Sequence, residues 1–316
     1  MFTLAELEAT LPIVRAAVPP TPQYAWPLLR ERTGVDVVVK HENHTPTGAF
    51  KVRGGMVYVD RLKRERPDVK GVVCATRGNH GQSIAFACGH AGLACVVVVP
   101  FGNSVEKNAA MRAFGAELIE HGRDFDEARG RAMEIAAERG YDYGISFAKD
   151  LVLGVATYAH ELFTAEPALD AVFVPIGIGS GICGVIGARD AMGLKTEVIG
   201  VVSDRANTYR LSLDAGRLVP TNSAMTFADG VAVRVPDAQA FDIIRRGAAR
   251  ENEVTDDAVA EAVRVLYTDS HTLAEGAGAA ALAALMNECK RQAGKRCAVI
   301  VSGQNIDRPW MATVVA

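Results

Sequence analysis

Runs of valine and isoleucine without polar alternation are the feature that most constrains this chain. They fall at Val35–His41, Gly71–Thr76, Ala94–Pro100, Ala116–His121, Ala171–Ile176, Glu197–Val202 and Cys297–Ser302. A strand with one wet face alternates apolar and polar residues, whereas a strand covered on both faces does not. These runs therefore predict strands inside parallel sheets. Helical patterns lie between and after them, at His80–Gly92, Ser104–Gly115, Asp124–Gly140, Gly181–Gly193, Asp237–Ala249, Asp256–His271 and Glu275–Gly294. Ser104 and Thr255 are placed as N-caps, and Gly92, Gly115 and Gly140 as helix stops. Strands alternating with helices give an α/β fold with right-handed crossovers.

The 316 residues suffice for two packed lobes. A net charge of −3 without long runs of one sign gives no reason to expect nucleic acid or an anionic membrane as partner. A charged small substrate must then be caught by local groups. The six cysteines form no CxxC pair and no Cys/His cluster at zinc spacing, so buried free thiols in a reducing cytosol are expected. The N-terminal MFTLAELEATLPIV carries acids and lacks the basic region of a signal peptide, and no apolar stretch reaches membrane-spanning length. A cytoplasmic protein is the expectation.

Four segments carry chemistry. His41–Gly55, HENHTPTGAFKVRGG, leaves a strand and enters a helix, where open α/β sheets gather ligands. Lys51 lies there between Phe50 and Val52. Partial desolvation lowers the pKa of such a lysine and makes its amine a nucleophile toward an aldehyde. The alternative is a surface lysine with its stem along a helix and its head in water. In Thr76–Ala85, TRGNHGQSIA, Gly78 frees a turn, and the N–H groups of Asn79, His80 and Gly81 can hold an anion such as a substrate carboxylate. His80 has no second ligand or base beside it, which favours a structural role.

In Val174–Gly184, VPIGIGSGICG, Gly177, Gly179 and Gly181 follow a buried strand and precede a helix placed from Ile182. Backbone N–H groups of Gly177, Ile178, Gly179, Ser180 and Gly181 can cradle a phosphate at such a junction. The glycine spacing departs from the dinucleotide fingerprint and no acidic residue follows a second strand, so a monophosphate fits better. In Val301–Asp307, VSGQNID, Ser302 is a neutral hydrogen-bonding group at the end of the last strand.

Together these segments resemble the fold-type II pyridoxal-phosphate enzymes, within them the serine/threonine dehydratase and serine racemase group. The resemblance runs from TPQYAWPLLRERTGVDVVVKHENHTPTGAFKVRGG to VSGQNID. It implies two lobes, each an open, mostly parallel sheet flanked by helices. Residues 1–70 and 149–316 would form the large cofactor-binding domain and 71–148 a small mobile one. It implies pyridoxal 5'-phosphate as a Schiff base on Lys51, with Phe50 beside the ring, Asn79 on the ring hydroxyl and Gly177–Gly181 around the phosphate. It further implies Ser302 at the pyridine nitrogen, Glu275 close by, and a homodimer. Thr76, Arg77, Gly78, Asn79 and His80 become the candidate substrate-binding residues.

The departures narrow the expectation. Racemases of the group carry a serine as second base where this chain has Arg77, and an arginine does not readily take a proton. Arg77 is instead a candidate to stack over the cofactor or to bind a carboxylate or aromatic part of the substrate, or is simply a surface arginine capping the loop. Val202 and Thr208 stand where acidic cation ligands should be and Asp204 is out of register, so no metal is expected. Ile178 and Ser180 interrupt the usual run of glycines. The short stretch after VSGQNID leaves no room for a regulatory domain, so isoleucine feedback is not expected. The leading expectation is a dehydratase, or ammonia-lyase, with Lys51 as its single base. Its substrate would be threonine, serine or a bulkier 3-hydroxy amino acid such as 3-phenylserine or 3-hydroxyaspartate. A racemase or β-replacement enzyme is the alternative, and a non-catalytic nucleotide-binding α/β protein a third.

Overall fold

Each apolar run is a strand, and all of them except Ala116–His121, whose strand is half open to solvent, have both faces covered. The computed structural model describes all 316 residues. The first part of the chain runs α1 (Leu4–Arg15), β1 (Gln23–Ala25), α2 (Pro27–Thr33), β2 (Asp36–Lys40), a 3₁₀ turn (Glu42–His44) and α3 (Lys51–Glu65). Next come β3 (Gly71–Ala75), α4 (Asn79–Ala91), β4 (Ala94–Val99), α5 (Val105–Ala113), β5 (Glu117–Glu120), α6 (Phe125–Arg139) and β6 (Asp142–Tyr143). The third part is α7 (Lys149–Ala165), β7 (Ala171–Pro175), α8 (Ser180–Ala191), β8 (Glu197–Ser203), α9 (Thr208–Ala215) and a 3₁₀ turn (Asp229–Val231). The last is α10 (Ala238–Gly247), β9 (Arg250–Val254), α11 (Asp256–Ser270), α12 (Gly276–Asn287), α13 (Cys289–Gln292), β10 (Arg296–Ile300) and α14 (Arg308–Val315).

Two sheets result. One has the order β1-β2-β10-β7-β8-β9, parallel except for β1; the other has the order β5-β4-β3-β6, all parallel. In the larger sheet Val38, Val172, Val174 and Ile300 face one hydrophobic core with α7 and α8. Their neighbours Val37, Val39, Phe173 and Val299 face another with α11 and α12. The smaller sheet divides in the same way, with Val72, Cys74 and Val97 on one side and Val73, Val96 and Val98 on the other. Period-2 geometry is thus intact, and it is silent in the sequence because both faces are apolar.

The sequence pattern misses the elements that break this rule. Strand β9 reads RENEV and lies at the sheet edge, with only Glu251 and Val254 buried. Helix α7 is apolar nearly all round because it packs against α3 and α8 and shows no amphipathic stripe. The helix expected over Glu275–Gly294 is two, α12 and α13, broken at Glu288, whose carboxylate turns to accept from Arg250 and from Gln292 Nε2. Ser104 and Thr255 do cap their helices, accepting from Lys107 N and Ala258 N. No helix is long and apolar enough to cross a membrane.

A buried charge cluster ties the first turn of α3 to α7 and β2. Arg53 Nε and Nη2 donate to the two oxygens of Glu42 at 2.8 and 2.9 Å. Its Nη1 and Nη2 donate to Glu161 at 2.8 and 2.9 Å, and Lys40 Nζ donates to Glu161 at 2.8 Å. Arg53, Glu42 and Lys40 are fully buried. The neighbouring carboxylates outweigh burial and hold the Arg53 pKa above its ordinary value; Arg53 and Lys40 in turn hold that of Glu161 down.

Candidate active site

Strands β2, β10 and β7 are adjacent and parallel, so the segments that follow them emerge side by side on one sheet edge. These segments carry Lys51, Ser302 and the glycine loop, and adjacent strands lie about 5 Å apart. The four motifs read from the sequence therefore converge, since the loop after β3 faces the same place. Phe50 N donates to Ser302 O at 3.1 Å, and Ala49 bridges to Gly303. A Cβ on Gly181 would lie 3.5 Å from the Phe50 ring, which places the glycine loop against the same residue.

Lys51 is the first residue of α3 and is half-buried, its Nζ 4.5 Å from the Phe50 ring centroid. No hydrogen-bond acceptor holds the amine. Burial pushes its pKa down, with the Glu275 carboxylate opposing, and a helix N-terminus further disfavours a cation. That is the setting in which an amine reacts with an aldehyde.

Asn79 is locked by two partners. Its Nδ2 donates to Glu275 Oε1 at 2.7 Å, and its Oδ1 accepts from Asn305 Nδ2 at 2.8 Å. One amide hydrogen of Asn79 stays unused. Glu275 is buried and its N–H donates to Gly303 O at 3.0 Å; burial raises its pKa, while Lys107 and Lys51 pull it back. Ser302 is buried, and its Oγ donates to Ala277 O at 3.3 Å, which leaves its lone pairs free to accept. Asn305 lies inside the VSGQNID segment but went unread, because only the fold brings Asn79 to it.

The glycine loop starts α8 two residues earlier than expected, at Ser180, because Gly179 takes a left-handed φ of +115° as N-cap. Ser180 and Gly181 thus belong to the first turn, whose N–H groups lack helical acceptors. Ile178 offers its carbonyl to Tyr209 Oη. At Gly177 any side chain is excluded: a Cβ would sit 2.2 Å from the Gly230 carbonyl oxygen.

In the loop after β3, Thr76 is buried and its Oγ1 accepts from Gly78 N at 3.1 Å. Arg77 is exposed and makes no hydrogen bond or ion pair with the protein. Gly78 caps α4, and Asn79 and His80 form its first turn. Burial, then the Lys51 ammonium, push the His80 pKa to about 4, so its ring is neutral; Nε2 is buried without a partner. Val202 lies in the core, and Thr208 Oγ1 donates to Val219 O at 2.6 Å.

One titratable group beside the site stands out. Glu251 on β9 is buried with neither carboxylate oxygen hydrogen-bonded, on the face shared with Ile176 and Ile182. Burial raises its pKa from 4.5 to about 7, with Arg210 opposing. The unfolded chain then loses this proton at lower pH than the folded one, so stability falls between about pH 4.5 and 7 and levels off above. That difference corresponds to about 3 kcal/mol. Glu251→Met is expected to leave urea stability unchanged below pH 4.5 and raise it by roughly 1–3 kcal/mol at pH 8. Equal stability of the two proteins at pH 8 contradicts this.

The chain is similar to known proteins in both sequence and fold. The family model of the pyridoxal-phosphate-dependent enzymes matches residues 14–303. An L-threonine ammonia-lyase of Geobacter sulfurreducens is 35% identical over 286 residues, covering 90% of this chain and 71% of that protein. A processed threonine deaminase isoform 2 from Solanum lycopersicum superposes with a TM-score of 0.91 at 28% identity, over 99% of this chain and 93% of that one. A pyridoxal-phosphate-dependent aspartate racemase also superposes at 0.91, with 27% identity over 98% of each chain. An amine without an acceptor and a glycine loop at a helix N-terminus, on segments that follow adjacent strands, suit an aldehyde-bearing phosphate, and the chain belongs to the family of pyridoxal-phosphate-dependent enzymes.

Proposed function

We propose that this enzyme is a dehydratase that converts a 3-hydroxy amino acid to a 2-oxo acid and ammonia. The observation that carries this reading is the pairing of one reactive amine, Lys51, with a neutral ring partner, Ser302. Pyridoxal phosphate, when bound, supplies an aldehyde that carries the substrate nitrogen and a conjugated ring that accepts electrons from the α-carbon. The N–H groups of Gly177–Gly181 would hold its phosphate, Phe50 would flank the ring, and Asn79 would offer its unused amide hydrogen to the ring hydroxyl. Ser302 would meet the ring nitrogen with a neutral hydroxyl, which brings no negative charge to keep that nitrogen protonated. A weaker electron sink favours prompt loss of a β-substituent.

Lys51 Nζ would hold the cofactor through its aldehyde, and as a free amine it would take the proton from the substrate α-carbon. It can hand that proton to the departing β-hydroxyl, which leaves as water. The released enamine hydrolyses to the 2-oxo acid and ammonia. The first turn of α4, from Asn79 to Gly81, holds the substrate carboxylate. Residues 71–148, which contain the smaller sheet, close over the substrate against 1–70 and 149–316.

Threonine is the first substrate to expect, given the names of the relatives, and serine, which carries the same β-hydroxyl, is the second. The unpaired Arg77 guanidinium also suits a substrate with a second carboxylate or an aromatic ring, such as 3-hydroxyaspartate or 3-phenylserine. A panel of these four, assayed for 2-oxo acid, tests the reading; no release from any of them ends it. Racemisation is the second reading, because the aspartate racemase shares this fold. Without a base at Arg77, the parent is expected to racemise serine far more slowly than it dehydrates any substrate, and Arg77→Ser to gain racemase activity. A parent that racemises serine as fast as it releases 2-oxo acid favours the second reading.

A further inference from the structure

Lys107 links the two cups of the site across the cleft between the sheets. It lies in the first turn of α5, in the part of the chain that carries the smaller sheet. Its stem lies against the substrate loop, where a Cβ on Gly78 would be 3.0 Å from Lys107 Cδ. Its Nζ crosses to the other lobe, 3.0 Å from Asp229 Oδ2 and 3.6 Å from Asp307 Oδ2. The side chain is only 8% exposed, so solvent screens these contacts little. Burial opposes its charge, but the Asp229, Glu275 and Asp307 carboxylates outweigh burial and keep it an ammonium.

Asp229 opens the 3₁₀ turn whose next residue, Gly230, presses its carbonyl against Gly177 of the phosphate loop. Asp307 is the N-cap of α14, a place where an aspartate normally accepts from its own helix. Here it makes no such bond and turns its carboxylate outward to Ser104 Oγ and Lys107. Ser104 is itself the N-cap of α5. A cap that gives up its local hydrogen bond for a partner in the other lobe marks a contact held for the site and not for the helix.

We propose that Lys107 is a positioning residue that couples occupancy of the substrate loop to the grip on the cofactor phosphate, through Gly78, Asp229–Gly230 and Gly177. A substrate carboxylate at the α4 N-terminus fixes the Gly78 turn, Lys107 is held against Asp229, and the Gly230 carbonyl keeps the phosphate loop closed. The role of these loops rests on the reading of the site given above.

The test uses cofactor-loaded enzyme and alanine, an amino acid without a β-leaving group. In the parent, saturating alanine is expected to slow cofactor release at least about tenfold. In Lys107→Met and in Asp229→Asn, alanine is expected to change that rate less than twofold. The KM for the hydroxy amino acid should rise about tenfold, while kcat falls less than threefold. Asp229 is half exposed, so Asp229→Asn keeps the test alive if Lys107→Met folds poorly. Lys107→Arg, which keeps the charge, should restore at least half of the slowing on a logarithmic scale. Variants in which alanine still slows release as in the parent overturn the coupling, as does a parent whose release alanine does not affect. A parent that takes up no cofactor overturns both the coupling and the reading of the site.

Discussion

Lys51→Ala is expected to give a folded protein with kcat reduced at least about a thousandfold, since attachment and proton transfer are lost together. Little stability should go with it. The amine has no hydrogen-bond acceptor in the fold, and burial already disfavours its charge. The parent should be yellow when loaded, and borohydride should bleach it and leave the label on Lys51. The variant should take up the cofactor without that reducible linkage. Lys51→Arg should not rescue activity, because a guanidinium stays protonated and does not add to an aldehyde. Activity within tenfold of the parent, or a borohydride label on another lysine, would remove Lys51 from its role.

The largest loss of stability is expected from Arg53→Met. The guanidinium answers two carboxylates, Glu42 and Glu161, with four hydrogen bonds between 2.8 and 2.9 Å. Removing it leaves Glu42 fully buried without that partner, and Glu161 with only Lys40 beside it. Breaking a buried pair in this way typically costs about 3–5 kcal/mol, far more than the pair itself contributes relative to an apolar core. The cost should be greatest near neutral pH. The Glu161 pKa is held below its ordinary value, so its share of stability is present above the unfolded value and lost as pH falls through the folded one. Urea denaturation of the two proteins at pH 7 and at pH 4 checks both statements. A loss under 1 kcal/mol at pH 7 would contradict the first, and an equal loss at both pH values the second.

What the sequence told and withheld follows from physical reach. The strands were legible because both faces are apolar, and Lys51 because small and apolar neighbours flank it. Strand β9 was hidden because an edge strand with four polar residues in RENEV looks like a loop. Arg53 stood in plain view in FKVRGG, yet nothing local shows that its partners lie on β2's following turn and on α7. Lys107 and Asp229 are 122 positions apart, and only the meeting of the two sheets joins them. Asn305 lies inside VSGQNID, but its role depends on Asn79, 226 positions away. Local chemistry could be read directly, whereas pairings across the lobes needed the fold.

The position of β10 has a consequence for how the enzyme is made. It lies between β2 and β7, so the larger sheet stays in two pieces until residues 296–300 leave the ribosome. At typical synthesis rates of about 5–20 residues per second, β2 waits on the order of 10–50 s for that neighbour. The smaller sheet, drawn from residues 71–143, is complete long before then. Ser302, Asn305 and Asp307 follow β10, so this side of the candidate site is delivered late. Nascent chains cut short of β10 would carry Lys51 and the complete smaller sheet, but no strand to join β2 to β7 in the larger one.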